Sequence, residues 1–518
     1  MNIGMISAKY ALLTPNAEAL IDHPNDRRIT FAELEDHVRR LANGLLVLGM
    51  KRGDRIAMLS QNSFEFMALY FACGRAGLIA QPLNWRLAAS ELGRIINNSG
   101  SRVLISQHRF SDVIAELKGT VNCVECWLQY GVDGDGSYER MIASAATNEP
   151  PFSDIIGNED PLYILYTGGT TGESKGVLHT HMSTYYAMMN NTAVERIQPS
   201  DVYMLTGQMF HSPVVMAITY LAHGCPVVLL NFEPTLAMAL IQEERVSGFI
   251  GLTTMINWMM VVQNFDAYKT SSLRHIEYGG GPLPSSVIRE AMEKFRCNFI
   301  GVYGQTEGIA MTFLNYDDHI KAIKGIHPER LNSCGREAFT ASVMVVDEHG
   351  SPVAQDGVST GEIAVKSPAN MVGYWQRPDL TEKIIQNGWM RTGDVATWDQ
   401  ERYIFIVDRA KDMIISGGEN IYSIQVEEAI YKHPSVLEAA VIGIPDAEWG
   451  EAVTAYVVLR QGTQATAQEI IDTAKKHLAS YQKPRFVEFV KELPKAPTGK
   501  ILKRVLREKH WAGKSRNV

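Results

Sequence analysis

Leu34, Val38, Leu41, Leu45 and Leu48 recur at spacings of four, three, four and three residues. That spacing puts all five on one face of a helix. Thr30-Phe31-Ala32-Glu33, just ahead of them, has the form of a capping box and marks the start of that helix. The next segments alternate in kind. DRIAMLS (54–60) after Gly53 reads as a strand, and SFEFMALYFACGRAG (63–77) as a helix. LIAQPL (78–83) reads as extended, SELGRIINNSG (90–100) as helical and RVLIS (102–106) as a strand. Such alternation predicts a parallel sheet covered on both faces, and so an α/β class. It returns around HGCPVVLL (223–230) and VSGFIGL (246–252).

The pattern changes after about residue 333. FTASVMVVDEHGSPV and STGEIAVKS read as short strands joined by a Gly/Pro turn, which predicts a small β-rich subdomain over about 333–409. It changes again near residue 410. IYSIQVEEAIYKH (421–433) and AQEIIDTAKKHLAS (467–480) read as helices. VLEAAVIGI, EAVTAYVVL and RFVEFV (485–490) read as strands. Residues 410–518 therefore form a separate α+β unit of a usual domain size. The basic tail from Ile501 reads as a solvated helix face.

Composition narrows the class. At 518 residues the chain is too long for one core. Hydrophobic residues at 46% and charged residues at 20% fit a soluble enzyme. A net charge of −8 gives no reason to expect nucleic acid or an anionic membrane as partner. No apolar stretch is long enough to span a bilayer. The start lacks a signal-peptide pattern, and the end carries no lipidation or peroxisomal signal. Cys123 and Cys126 form a lone CxxC with no second pair to complete a zinc site, so the six scattered cysteines read as structural thiols. A reducing cytoplasm is the expected location.

The stretch YTGGTTGESKG, Tyr166 to Gly176, holds four glycines, three threonines, a serine and a lysine in eleven residues. It follows the β-prone PLYILYT (161–167) and precedes GVLHTHMSTYYAMMNN, which reads as helical. Strand, Gly-rich loop and helix would present backbone N–H groups to phosphate. Thr167, Thr170, Thr171 and Ser174 add hydroxyls, and Lys175 adds charge. In a P-loop the lysine follows Gly directly and the next Ser or Thr holds Mg²⁺. Here Gly176 follows Lys175, so the metal needs a carboxylate from elsewhere. GVYGQTEG (301–308) offers one: Tyr303 to stack on a purine, Thr306 for a phosphate and Glu307 for Mg²⁺. WMRTGDVATWD (389–399) places Asp394 after a Gly turn, where it could take two ribose hydroxyls. DRAKDMIISGGENI (408–421) and LPKAPTGKILKRVLRE (493–508) complete the set.

These five segments, in this order and over essentially the whole chain, resemble the adenylate-forming superfamily. It includes acyl- and aryl-CoA synthetases, peptide-synthetase adenylation domains and beetle luciferases. The resemblance implies a large N-terminal domain over 1–409 and a small mobile domain over 410–518. It implies that a carboxylate attacks ATP to give acyl-AMP and pyrophosphate, and that a thiol then displaces AMP. Thr167, Gly168, Gly169, Thr170, Thr171, Gly172, Ser174 and Lys175 would hold the phosphates, and Glu307 the Mg²⁺. Gly279, Gly280, Gly281, Tyr303, Gly304, Gln305 and Thr306 would surround adenine and the α-phosphate. Asp394 and Arg409 would bind the ribose, and Lys500 would be the mobile catalytic lysine. Lys411 matches the hinge. Gly417, Gly418, Glu419 and Asn420 would line a pantetheine tunnel, with Trp449 and Lys483 near the CoA nucleotide.

Amino-acid-activating relatives carry Asp just after the Phe of the segment that here reads MFHSPVVM; this chain has His211. A buried ammonium without a counter-charge is costly, so α-amino acids are unfavoured. The resemblance makes His211 a gating residue on the carboxylate side. It assigns the acyl wall to Phe210, His211, Val214, Met216, Thr253, Met255, Tyr278, Gly281 and Met311. No residue of that wall carries a fixed charge, which favours medium-chain aliphatic or aryl and arylpropenoic acids. Trp258 shares a helical face with Met255, Met259 and Val262 and is expected in the core, the alternative being a position across the pocket. The leading expectation is a carboxylic acid–CoA ligase using ATP, Mg²⁺ and coenzyme A, with a small carboxylic acid as partner and room for a homodimer. A stand-alone enzyme loading an acyl carrier protein and a non-catalytic nucleotide-binding protein stay open beside it, as does a luciferase-like oxygenase side activity.

Overall fold

The computed structural model describes residues 2–131, 136–167, 174–281, 283–409, 412–417, 419–446, 448–495 and 501–511. Thr30 caps the helix Phe31–Val47 through a complete capping box with Glu33. Leu34, Val38, Leu41 and Leu45 are fully buried along its inner face. The stripe stops there: Leu48 lies just past the helix end and is 37% exposed. The helix Phe64–Ala76 is buried at every residue, as expected of an element apolar on all sides.

Two parallel-rich sheets account for most of the chain. In the first, Glu18–Asp22, Val227–Leu229, Tyr203–Leu205, Gly248–Gly251, His275–Tyr278 and Asn298–Tyr303 run parallel in that spatial order. Antiparallel strands close both of its edges. In the second, Cys126–Tyr130, Val103–Gln107, Arg55–Leu59, Ile79–Leu83 and Pro161–Thr167 run parallel. The largest core cluster joins the facing sides of both sheets to the helices Phe31–Val47, Phe64–Ala76, His181–Glu195 and Pro213–Ala222. Separate cores cover the outer sides.

One local expectation fails. Pro161–Thr167 is followed by an antiparallel strand, Lys175–Thr180, with Thr167 opposite Lys175. The Gly-rich stretch therefore joins two strands of a hairpin, and the helix starts only at His181. The reason is local. Val177 and Leu178 pair with Leu165 and Ile164 in the ladder, and Thr180 with Ser183 forms the capping box that starts the helix.

The strands Ser342–Val346, Gly361–Lys366, Trp389–Trp398 and Ile404–Arg409 form the expected small antiparallel sheet. Beyond it, Val436–Asp446 and Gly450–Leu459 pair antiparallel, and Phe486–Phe489 lies parallel beside them. Helices Ser423–Tyr431, Ala467–Lys475 and Lys503–Trp511 cover this last sheet. In the described part of the basic tail Arg504 and Lys509 are exposed, but two other cations are paired inward. The Lys503 ammonium lies 2.7 Å from the Glu427 carboxylate, and Arg507 pairs with Asp412. No helix among the described residues is long and apolar enough to cross a membrane.

Candidate active site

The carboxyl ends of the strands in the first sheet converge on one edge, where open α/β sheets bind ligands. Strand His275–Tyr278 delivers Gly279, Gly280 and Gly281 there. A side chain at Gly279 would strike Val302, and Gly280 has φ +74°, so both positions need glycine. Gly281 faces open space, with no atom within 4 Å of where a Cβ would stand.

Strand Asn298–Tyr303 delivers the next segment to the same edge. The Tyr303 hydroxyl donates to Asp394 at 2.8 Å. Gln305 donates to the same carboxylate oxygen and to the Thr392 carbonyl, both at 2.7 Å. Asp394 stands opposite Arg409 in the antiparallel ladder of the small sheet. Tyr303, Gln305 and Asp394, 91 residues apart at the extremes, are thus one hydrogen-bonded group. Burial and the Asp394 charge hold the Tyr303 phenol well above its ordinary range, so it stays a donor.

Glu307 is held from two sides. Its carbonyl accepts from the Met371 N–H at 2.7 Å, and its carboxylate accepts from the Tyr374 hydroxyl at 2.8 Å. The Lys175 ammonium lies 5.2 Å over the Tyr374 ring. Tyr374 belongs to a short strand, Gly373–Tyr374, that pairs with Lys175–Thr180. Sequence reasoning missed Tyr374, because its partners lie 67 and 199 residues away in the chain. It also missed His179, whose Nε2 bonds the Thr306 carbonyl at 2.7 Å. Burial pushes His179 down to about 4, so it stays neutral and Nε2–H can be the donor. The other oxygen of Glu307 has no hydrogen-bond partner among the described residues. A hard anionic oxygen so placed suits Mg²⁺.

Other expected residues have local engagements. The Ser174 hydroxyl donates to Glu91 at 3.1 Å, and Thr167 reaches the Lys175 carbonyl at 3.5 Å. Gly168, Gly169, Thr170, Thr171, Gly172, Lys411, Gly418 and Lys500 lie outside the described residues. Arg409 and Asn420 are placed by their backbones in strands.

Of the residues expected to bind the acid, His211 ends the segment after strand Tyr203–Leu205 and precedes the helix Pro213–Ala222. Its ring packs 4.6 Å from that of Phe210. Its Nε2 is buried without a partner among the described residues. Burial, aided by Arg86, pushes its pKa down to about 4. Phe210, Val214 and Met216 are buried beside it in the central core, while Thr253 and Met255 are half-buried. Two expected wall residues pack in other cores. Tyr278 turns to the outer core, where its hydroxyl pairs with His319 Nε2 at 3.0 Å. Met311 packs into the core of the small sheet with Val343 and Met390. Trp258 is not in the core. It is 46% exposed, and the Lys495 ammonium lies 5.7 Å from its ring centre. The face of helix Thr253–Met260 that buries Ile256 and Met259 leaves Trp258 on the outside.

In the last unit, Gly417 adopts φ +61° against the Trp449 ring, and its N–H donates to the Trp449 carbonyl at 2.8 Å. The Arg485 guanidinium stacks 4.6 Å from Trp449. Glu419 is exposed and Lys483 half-buried nearby in sequence.

A family model described as AMP-binding enzyme matches residues 8–375, and one described as AMP-binding enzyme C-terminal domain matches 425–500. The chain belongs to the AMP-binding enzyme family. It is 35% identical to the long-chain-fatty-acid–CoA ligase FadD13 of Mycobacterium tuberculosis, over 99% of both chains. It is 33% identical to a feruloyl-CoA synthase of an Amycolatopsis species, over 98% of this chain and 99% of the relative. Its structure matches that of the anthranilate CoA ligase AuaEII in complex with anthranoyl-AMP with a TM-score of 0.90. That match is at 25% identity and covers 98% and 97% of the two chains. This member of the AMP-binding enzyme family is an AMP-forming ligase of the acyl-CoA synthetase type, with the α/β architecture its motifs imply.

Proposed function

We propose that the chain converts a carboxylic acid with a neutral, largely apolar body, ATP and CoA into acyl-CoA, AMP and pyrophosphate. In the first step a carboxylate oxygen attacks the α-phosphorus and pyrophosphate leaves. In the second the CoA sulfur attacks the acyl carbonyl and AMP leaves. The observation that carries the reading is the convergence of Tyr303, Gln305, Asp394, Glu307 and Tyr374 on one edge of the first sheet.

Asp394 would accept from the ribose hydroxyls while Tyr303 and Gln305 fix its carboxylate, and the Tyr303 ring would stack on adenine. Neutral His211 would orient the acid without repelling or neutralising it. Glu307, steadied by Tyr374, would hold Mg²⁺, which offsets the phosphate charge when bound. Lys500 would stabilise charge developing between acid and α-phosphate. We assign 1–409 and 410–518 as the two domains, with Lys411 as pivot between strand Ile404–Arg409 and strand Ile414–Ser416. The scattered cysteines favour a cytoplasmic setting. Buried Phe210, Val214 and Met216 favour apolar acids, and the names of the fatty-acid and feruloyl relatives point the same way.

The test supplies ATP, Mg²⁺ and a panel of aliphatic, aryl and arylpropenoic acids, and follows AMP release with and without CoA. CoA-dependent AMP release is expected. Pyrophosphate exchange without CoA turnover would instead indicate a carrier-protein acceptor, and silence over the whole panel would refute the reading.

A further inference from the structure

Lys495 and Ile501 pair as an antiparallel bridge, and the Leu502 N–H donates to the Pro494 carbonyl at 2.7 Å. The bridge belongs to the proposed small domain. Leu493 is buried there with Ala440, Ile442 and Tyr456, and Ile501 packs against them. The Lys495 ammonium donates to Glu438 on strand Val436–Asp446 at 2.7 Å. Lys500 is bonded directly to Ile501 in the chain, so whatever holds this bridge also holds the point from which Lys500 starts.

The same ammonium lies 5.7 Å from the ring centre of Trp258, in the proposed large domain. A cation within about 6 Å of an aromatic ring is attracted to its face, and Trp is the best such partner. The core of the large domain does not use this ring. Helix Thr253–Met260 buries Ile256 and Met259 and turns Trp258 outward, and Val261, three residues on, is 67% exposed.

That helix starts at the reaction edge. Gly251, which ends the preceding strand, stands beside Tyr278, the residue before Gly279. Trp258 is five residues past Thr253, about 7.5 Å along the helix at 1.5 Å per residue. The bridge beneath Lys500 is thereby seated close to the edge where acid and nucleotide would meet. A second contact between the proposed domains lies beside the pivot, where Asp408 accepts from the Ser423 N–H at 2.6 Å. A contact at a pivot leaves rotation free, whereas one added away from it selects a single pose.

We propose that Trp258 is a positioning residue for acyl-AMP formation: its ring seats the Lys495–Ile501 bridge and so holds Lys500 towards the acid and the α-phosphate. The inference rests on the ligase reading above. Trp258 acts through Lys495 and touches no reacting atom. It therefore governs the rate of the first half-reaction rather than the affinity for the acid, and the second half-reaction does not need it.

The two half-reactions are measured separately on the full-length enzyme. The first is followed by ATP–pyrophosphate exchange with the acid of the panel above that turns over fastest, the second by CoA-dependent consumption of its pre-made acyl-AMP. Trp258→Ala should slow the first by about threefold to tenfold, the scale of one partly desolvated cation–π contact. The second, and the KM for acid, should stay close to wild type. Trp258→Phe keeps a ring and should recover most of the rate, whereas Trp258→Leu, apolar without a ring, should not. Lys495→Met should also slow the first half-reaction, and combining it with Trp258→Ala should add little, as for two residues of one contact. Trp258→Ala should likewise add little to Lys500→Ala. Where Lys495→Met, which leaves Glu438 unpaired, fails to fold by thermal melting, the Trp258 and Lys500 variants carry the comparison. An unchanged first half-reaction, equal losses in both, a raised acid KM that accounts for the loss, or full additivity with Lys500→Ala would each overturn the inference. A wild-type enzyme that releases no AMP from any acid of the panel fails the ligase reading itself, and an active one indifferent to Trp258→Ala fails the inference alone.

Discussion

Tyr374 donates its hydroxyl to Glu307 at 2.8 Å while its ring lies beneath the Lys175 ammonium at 5.2 Å. One side chain thus touches both the acid expected to hold the metal and the lysine expected to hold the phosphates. A hydrogen bond to a charged group contributes about 1.5–3 kcal/mol. Tyr374→Phe should slow acyl-AMP formation roughly tenfold and raise the Mg²⁺ concentration needed for half-maximal rate. The phenyl ring keeps the contact with Lys175, so the ATP KM should move less. A Mg²⁺ dependence identical to wild type would remove Tyr374 from the site.

Lys500→Ala should lower the acyl-AMP formation rate by about 10²–10³, the scale of one transition-state donor. Thioester formation from pre-made acyl-AMP should persist, because on the proposed two-domain reading Lys500 has left the site by that step. The two half-reactions are measured separately by pyrophosphate exchange and by stopped-flow consumption of acyl-AMP. Equal losses in both would end the two-pose description.

Lys411→Pro fixes φ near −65° and would stiffen the proposed pivot between the two proposed domains. Acyl-AMP should still form, and transfer to CoA should slow strongly. Transfer at the wild-type rate would move the pivot elsewhere.

Lys503 lies 2.7 Å from Glu427 and donates to the Ser423 hydroxyl at 2.6 Å, while Asp408 accepts from the Ser423 N–H at 2.6 Å. Removing one partner of a buried pair typically costs about 3–5 kcal/mol, because the other charge is left behind. Lys503→Met should therefore lower the melting temperature markedly, and adding Glu427→Gln should restore part of it. An unchanged melt would show that the pair is dispensable.

Burial pushes five histidines, His37, His179, His181, His211 and His319, down to about 4. Their ordinary value is near 6.5, so between these limits the unfolded chain binds more protons than the folded one. Stability should then fall as pH drops from 6.5 towards 4. Thermal melts across pH 4–8 should show this slope, and His179→Gln should flatten it by up to one proton. Glu428, pushed up by burial to about 7, opposes this slope, so the decisive reading is the variant: a slope that His179→Gln leaves unchanged would contradict the burial of that ring.

Much of the fold was legible because its signals are local. The Thr30 box, the buried leucine stripe and the alternation of strands and helices depend on neighbours a few residues apart. The five motif segments were legible for the same reason. What failed depended on distant partners. Trp258 looked like core by spacing, yet its helix buries the Ile256 and Met259 side instead. Lys503 looked solvated by charge, yet Glu427 lies 76 residues away in sequence and next to it in space. Tyr374 carries no motif at all: it is defined by its contacts with Glu307 and Lys175.

The hairpin placement of the Gly-rich stretch has a consequence for engineering. Because Thr167 stands opposite Lys175, both ends of the connecting segment are clamped in neighbouring strands, at about the 4.8 Å spacing of a ladder. The segment is a modular part with fixed sockets. A connector of different length or composition could be grafted between those two residues without re-registering the sheet, the helix at His181 or the acid-binding side of the enzyme.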